Sequence, residues 1–355
     1  VFPEVIPTPL LAFSVRHLKT DMGIMVTASH NPSSDNGCKV YMRDGAQLRA
    51  PVDEEIDKLI RESEFPSIKM PQGNGTLVNA DKSLEEAYCA AITKSLTQQN
   101  PKTRIAYTPL HGVAMELIQK NFIKAQAGEL IPVKTQMVPD AEFPTVPFPN
   151  PEEHGVMDSV TALAKASNAD LALANDPDGD RLAVAIPTLS GDWRLLSGDE
   201  IGALLFNHVV RKTSGNNRKV VTTIVCSKLV SKIASKNGVE RSTTLTGFKW
   251  IIPAAYNDSS LQPIFCYEEA LGYATNTAVR DKDGISAALM MAELTAALKE
   301  QGQTLEDELD ALSLEYGHHV TKTWRVRFNS EKPSNVIPKV MQHLRDNPLS
   351  TVNQM

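Results

Sequence analysis

The sequence has few of the residues that build disulfide frameworks, zinc sites or membrane spans. It contains 4 cysteines in 355 residues, and none stands in a CxxC or CxxH pair, which argues against a zinc site and a disulfide scaffold. No apolar run approaches the length of about 20 residues that a membrane helix needs. No basic segment followed by an apolar one opens the chain as a secretory signal would. These absences favour a cytoplasmic protein without a membrane partner.

An excess of positive charge is also absent. Lysine and arginine number 36 against 42 aspartate and glutamate, which gives a formal net charge of −6. Nucleic-acid-binding proteins usually carry the opposite balance, so we expect no nucleic-acid partner. An anionic substrate would therefore have to be held by a local basic pocket.

Apolar runs alternate with amphipathic helical patterns through most of the chain, which predicts an α/β fold. Strands are expected at 23–28, 104–107, 171–174, 182–186, 220–225, 242–245 and 264–267. Helices are expected at 52–61, 81–96, 115–125, 151–167, 199–211, 227–236 and 284–299. An alternating stretch at 320–328 predicts the first strand of a fourth unit. The pattern divides the chain into four domains, at 1–100, 101–194, 195–316 and 317–355.

The first chemical signal is a serine that follows a predicted buried strand. Ser29 begins the sequence Ser-His-Asn-Pro, in which Asn-Pro favours a turn, so the hydroxyl can project into a cleft. His30 could transfer a proton or position a phosphate, and Lys39 could pair with phosphate oxygens. The alternative interpretation is an Asx turn with a helix-capping serine.

The second signal is a run of three aspartates at alternate positions, Asp176, Asp178 and Asp180. Their carboxylates can converge on one hard cation if the backbone turns sharply, which the intervening Pro177 and Gly179 allow. Such oxygen ligands suit Mg²⁺, and the following arginine can orient charge beside them. The alternative is a solvated acidic loop, whereas an EF-hand fits poorly because its glycine belongs at position six of the loop.

Three further loops have the composition of a sugar-phosphate site. Gly247 and Lys249 follow one predicted strand, and Glu268 follows another. Lys282 precedes a helix whose N-terminal end can help to hold an anion. Taken singly, each of these loops is more readily interpreted as structural. We also interpret His111, in a tight turn, as structural.

Taken in order, these five motifs resemble the α-D-phosphohexomutase superfamily, from about residue 7 to residue 284. The resemblance implies consecutive α/β domains with mixed sheets around a central cleft, each of the first three contributing one loop. It also implies a fourth domain with a phosphate-binding loop of the form Arg-x-Ser-Gly-Thr, which does not occur in this sequence. The first strand of domain one is expected upstream of Val1, where the chain starts without methionine. We therefore expect the first and fourth domains to be incomplete.

The resemblance also implies a role for each motif. Ser29 would carry the phosphoryl group, His30 and Lys39 would assist proton transfer, and Arg181 would support the site. One Mg²⁺ per active site would bind the serine phosphate and the three aspartates, and a sugar bisphosphate would act as activator and intermediate. The residues implied to bind the sugar phosphate are Gly247, Lys249, Glu268 and Lys282.

The expected activity is that of an isomerase of the phosphoglucomutase type, which interconverts a sugar 1-phosphate and a 6-phosphate. Glucose is the favoured sugar, with phosphomannomutase and phosphopentomutase as alternatives. Ala270 departs from the serine of typical phosphoglucomutases and points toward the subgroup that includes phosphopentomutases and glucose-1,6-bisphosphate synthases. A phosphatase with an aspartate nucleophile and a non-catalytic sugar-phosphate-binding protein are weaker alternatives. We expect a monomer or a homodimer.

Overall fold

The computed structural model describes residues 1–63, 75–96, 102–188, 190–322 and 333–348. It divides into two compact units, Val1–His319 and Val320–Met355. The predicted strand at 320–328 lies mostly outside the described residues. Among the helices of the described ranges, none has the length and apolar character that a membrane crossing requires.

The N-terminal part of the first unit is a two-stranded ribbon with three helices. Its elements are α1 (Thr8–Leu18), β1 (Met22–Val26), β2 (Cys38–Met42), α2 (Val52–Glu62) and α3 (Ser83–Thr93). The prediction of a buried strand at 23–28 was wrong about burial, since Ile24 and Val26 are 59% and 82% exposed. Within the described residues β1 pairs with β2 alone, so its outer edge and one face are left open.

The next part contains a mixed sheet of five strands in the order β4-β3-β5-β6-β7. The central strand β5 is fully buried and forms the predicted antiparallel hairpin with β6. A helix predicted at 151–167 begins only at Asp158, because Gly155 has a φ of +82°, which a helix does not allow. The elements are β3 (Arg104–Thr108), α4 (Met115–Ala125), β4 (Glu129–Pro132), α5 (Asp158–Ser167), β5 (Leu171–Asn175), β6 (Leu182–Pro187) and β7 (Trp193–Leu195).

The last part of this unit has a second mixed sheet, in the order β11-β10-β8-β9. Its first elements are α6 (Gly198–Lys212), β8 (Arg218–Thr223), α7 (Leu229–Lys236), β9 (Glu240–Thr244) and α8 (Phe248–Ala255). They are followed by β10 (Gln262–Glu268), β11 (Gly272–Ala274), α9 (Gly284–Glu300) and α10 (Leu305–Tyr316). In the second unit, the described residues include α11 (Pro333–Asp346).

Helix α9 joins the parts of the first unit into one hydrophobic core. It is buried along almost its whole length and contacts β5, β6, β11 and the helices α3, α4 and α6. One continuous apolar cluster therefore includes residues from the ribbon and from both larger sheets. An α/β fold with mixed sheets, as predicted, is confirmed, and the ends of three sheets can meet at one site.

Candidate active site

The acidic loop between β5 and β6 brings three buried carboxylates together. One oxygen from each of Asp176, Asp178 and Asp180 lies within 4.8 Å of the others. The loop turns sharply at Gly179, whose φ of +74° suits glycine, and the amide of Arg181 donates to Asp176 Oδ1 at 2.9 Å. The local backbone therefore aims the three side chains at one point, as the sequence predicted.

Burial and charge act in opposite directions on this triad. Burial, followed by the neighbouring carboxylates, raises the pKa of Asp176 well above its usual range. Burial also opposes ionisation of Asp180, but the positive charges around that carboxylate outweigh it and lower the pKa. In order of their effect, these charges belong to Lys282, Lys39 and Arg181.

Ser29 lies against this triad. Its Oγ is 3.3 Å from Asp176 Oδ2 and 3.2 Å from Asp178 Oδ1. The backbone at Ser29 has a φ of +56°, an uncommon left-handed conformation for a non-glycine residue, and its amide donates to Thr27 Oγ1 at 2.8 Å. The turn after β1 therefore directs a half-buried hydroxyl at the carboxylates.

His30 is the next side chain around the serine. Its Nδ1 lies 3.2 Å from Ser29 Oγ, and its ring meets that of Phe148 edge-on at 6.4 Å between centroids. Burial, assisted by the charge of Arg181, lowers the pKa of His30 to about 4. The imidazole is therefore neutral at neutral pH and can accept a proton.

Two lysines from distant segments converge on Asp180. Lys39 Nζ lies 2.6 Å from Asp178 Oδ2 and 2.6 Å from Asp180 Oδ2, and Lys282 Nζ lies 3.2 Å from the same Asp180 oxygen. Burial alone would lower the pKa of Lys39, but the surrounding carboxylates raise it above its ordinary value. Both lysines therefore place a positive charge directly against Asp180.

Arg181 and Glu268 are two further, largely buried side chains next to the triad and its lysines. The guanidinium is 3.8 Å from Glu152 Oε2, and its buried Nε has no hydrogen-bond partner in the part of the chain that the structure describes. Glu268 ends strand β10 in a buried position, and burial raises its pKa against the opposing charges of Lys282 and Arg181. A buried donor and a buried carboxylate thus stand next to the triad.

The predicted loop at Gly247 and Lys249 is in fact the start of helix α8. Phe248 is its first residue, and Lys282 Nζ lies 5.4 Å from the centre of the Phe248 ring. Lys249 lies over its neighbour Trp250 at 5.4 Å, and no hydrogen bond or ion pair in the described residues joins it to the triad. Gly247 therefore borders the site, whereas the side chain of Lys249 is directed elsewhere.

Models of three consecutive domains match the chain. They are described as phosphoglucomutase/phosphomannomutase alpha/beta/alpha domain I at residues 1–67, domain II at 86–191 and domain III at 197–316. A probable phosphomannomutase of Haemophilus influenzae is 38% identical over 353 residues, which cover 98% of this chain and 71% of that protein. The chain belongs to the phosphoglucomutase/phosphomannomutase family. Named members of this phosphohexomutase family are mutases, a class of isomerase.

Other phosphohexomutases differ in their named substrates. A human phosphopentomutase is 38% identical over 369 residues, covering 98% of this chain and 59% of that protein. A phosphoglucomutase of Staphylococcus aureus is 34% identical over 349 residues, covering 96% and 63%. A putative phosphomannomutase from Thermus thermophilus shares the fold, with a TM-score of 0.75 at 23% identity over 89% of this chain and 68% of that one. The chain thus spans roughly three fifths to two thirds of these relatives.

The donor set of the triad fits a hard divalent cation. Three carboxylates converge, and the buried Asp180 Oδ1 accepts no hydrogen bond from the described residues, so an acceptor is available. Oxygen donors of this kind suit Mg²⁺. The triad could therefore hold a metal ion.

One supporting residue had no signal in the sequence. Thr8, the first residue of α1, donates from Oγ1 to Asp178 Oδ2 at 2.6 Å, and its amide donates to the Asp178 carbonyl at 2.9 Å. Its position at a helix start next to Pro9 is a signal for the helix alone. His111, by contrast, bonds Thr145 Oγ1 through Nε2 at 2.8 Å, a contact within its own part of the fold.

Proposed function

We propose that the protein is a magnesium-dependent phosphohexomutase that interconverts a sugar 1-phosphate and a 6-phosphate through a phosphoserine at Ser29. The observation that carries this proposal is the placement of Ser29 Oγ within 3.3 Å of two carboxylates of the buried triad. A phosphoryl group on that oxygen would lie beside a cation site and two lysines, which is the environment that phosphoryl transfer requires.

The metal site would take one Mg²⁺ per active site. Asp176, Asp178 and Asp180 would hold it together with an oxygen of the serine phosphate. When bound, the ion supplies a Lewis acid that offsets charge on the phosphoryl group. Thr8 supports this site by fixing the carboxylate of Asp178.

The chain's own residues can account for the movement of the proton. The oxygen of a sugar hydroxyl forms a bond to phosphorus while the bond between phosphorus and Ser29 Oγ breaks. The hydroxyl gives up its proton, and Ser29 Oγ regains one. The neutral imidazole of His30, at 3.2 Å from that oxygen, can hold or pass a proton at Nδ1. Lys39 stays charged and offsets negative charge by hydrogen bonding.

A complete cycle needs a sugar bisphosphate as activator and intermediate. The bisphosphate must turn over in the site so that its other phosphate can return to Ser29. Arg181, whose Nε has no hydrogen-bond partner among the described residues, would bind the phosphate that is not reacting, whereas Lys282, held on Asp180, would bind the phosphate at the reacting end. Water must be kept out meanwhile, because phosphoserine would otherwise be lost to hydrolysis.

The sugar itself would be bound by Glu268, whose buried carboxylate can accept hydrogen bonds from hydroxyls. Gly247 would border this position at the start of α8, and the backbone of Lys249 follows it in that helix. Glucose phosphate is our first choice, and mannose or pentose phosphates are the alternatives because the relatives named above include all three kinds of mutase. The cytoplasmic location and a monomeric or homodimeric state stay predictions.

The test compares rates on glucose 1-phosphate, mannose 1-phosphate and ribose 1-phosphate in the full-length protein and in Ser29→Ala. We expect Ser29→Ala to lose on the order of 10³-fold or more in kcat on every sugar, because it removes the group that carries the phosphoryl. The matched control is Ser33→Ala, which changes an exposed serine of the same loop. If Ser29→Ala keeps turnover close to that of Ser33→Ala, the proposal is wrong.

A further inference from the structure

A buried aspartate outside the triad joins the segment that carries Lys39 to the segment that carries Lys282. Asp281 is fully buried, and its Oδ2 accepts hydrogen bonds from Tyr41 Oη at 2.6 Å and Gln47 Nε2 at 2.7 Å. Tyr41 lies on β2, two residues after Lys39. Gln47 forms an isolated antiparallel β-bridge with Tyr41. One carboxylate oxygen thus holds the β2 segment.

The other oxygen of Asp281 holds the second lysine. Oδ1 accepts from the amide of Lys282 at 2.8 Å and lies 3.7 Å from Lys282 Nζ. That ammonium in turn lies 3.2 Å from Asp180 Oδ2, the oxygen that Lys39 contacts at 2.6 Å. Asp281 is therefore bonded to both segments whose lysines meet at Asp180.

The path of the Lys282 side chain is also confined. A Cβ atom at Gly272 would lie 2.4 Å from Lys282 Cδ, so the glycine leaves room for the lysine stem. The Phe248 ring lies on another side of the ammonium. Because the stem is confined, small movements of the Asp281 backbone or side chain would be transmitted to the ammonium.

We propose that Asp281 is a positioning residue, which holds Lys39 and Lys282 together on Asp180. The consequence for phosphoryl transfer rests on the proposed function. Fixed charges stabilise a transition state without reorganisation, and misplacement by about 1 Å can cost roughly 10²-fold in rate. Asp281 would thus act on the reaction through two lysines, without contacting the phosphoryl group.

The test uses a matched pair of buried tyrosines in the full-length protein. Tyr41 donates to Asp281, whereas Tyr88, equally buried, donates to Asp283 at 2.9 Å, two residues further along the same loop. Tyr41→Phe and Tyr88→Phe each remove one buried hydroxyl and should lower the Tm similarly. If Tyr41 and Asp281 only stabilised the fold, the two variants would also have the same Mn²⁺ affinity and the same kcat.

The deciding measurement is the affinity for Mn²⁺ alone, by titration calorimetry. We expect Tyr41→Phe to bind Mn²⁺ at least about threefold more tightly than wild type, since less firmly held lysines compete less with the cation for Asp180. Tyr88→Phe should stay at the wild-type value. In the mutase assay, Tyr41→Phe should lose about tenfold in kcat with little change in KM, because the lysines are misplaced.

Equal Mn²⁺ affinity in the two variants would overturn the proposal. If the affinities separate but wild-type protein transfers no phosphoryl group, the positioning of the lysines stands and the proposed function fails. If Tyr41→Phe does not fold, Gln47→Met removes the other donor to the same oxygen and should shift Mn²⁺ binding in the same direction.

Discussion

At the scale of single residues, the site consists of charged side chains that are buried, although burial disfavours their charged forms. Asp176 and Asp180 are both fully buried, yet their pKa values move in opposite directions. Burial and the neighbouring carboxylates dominate at Asp176, whereas the lysines in contact with Asp180 outweigh burial there. Ser29 and its carboxylate neighbours were predictable because each belongs to a short contiguous motif. Thr8 and Asp281 were not assigned, since their roles depend on contacts across 170 and 240 residues of chain.

Asp283 gives a prediction about pH and stability. This N-cap of α9 is fully buried, and burial raises its pKa from 3.8 to about 6 despite several hydrogen bonds to the carboxylate. Between these pH values the folded protein binds more protons than the unfolded chain, so the free energy of unfolding falls as pH rises. Asp283→Asn keeps an acceptor for the helix amides and removes this dependence.

The measurement is urea unfolding of wild type and Asp283→Asn at pH 4 and pH 7 in buffer with chelator. The difference in unfolding free energy between the two proteins should move by on the order of 2 kcal/mol in favour of the variant as pH rises. Other acidic groups titrate in both proteins and cancel. A difference that does not change with pH would contradict the assignment.

At the scale of elements, the sequence predicted strands and helices where periodicity was strong. The hairpin of β5 and β6 and the helix α4 were predicted nearly to the residue, because their apolar faces are fully buried. Helix α8 was missed because it is short, starts after a glycine and contains Pro253. The exposure of β1 was not predictable, since burial depends on which strands flank it.

Two glycines allow backbone segments to pack closely beside the site. We expect substitution of one to affect metal binding and substitution of the other to affect sugar-phosphate binding. A Cβ at Gly112 would lie 2.3 Å from the backbone of Pro177, the residue between Asp176 and Asp178 of the triad. A Cβ at Gly198 would lie 1.8 Å from the carbonyl oxygen of Glu269, next to Glu268. Overpacking of this kind typically costs about 1–3 kcal/mol and shifts the backbone.

Gly112→Ala should therefore weaken Mn²⁺ binding by about tenfold, a loss of metal affinity typical of disturbed supporting contacts. Gly198→Ala should leave Mn²⁺ binding near the wild-type value and raise KM for the sugar phosphate. The two variants serve as controls for each other. If both variants changed metal affinity and KM equally, the expectation that the Pro177 loop acts on metal binding and the Glu269 loop on sugar binding would be wrong.

At the scale of the whole molecule, three loops from three sheets meet because one buried helix connects the parts. Helix α9 contacts both larger sheets, and its N-terminal loop carries Lys282 to the triad. The α/β class was predictable from alternating patterns, and the family from the order of the motifs. The arrangement of the loops in space was not, because periodicity gives the elements and not their packing.

The central claim is that Ser29 carries the phosphoryl group. The most direct measurement is mass analysis of the full-length protein after incubation with a sugar bisphosphate and Mg²⁺, followed by mapping of the modified peptide. We expect one added phosphoryl group, stable in acid as a serine ester is, located on Ser29 and absent from Ser29→Ala. A phosphoryl group on Asp176 that is lost as a labile acyl phosphate, or on any residue but Ser29, would contradict the account.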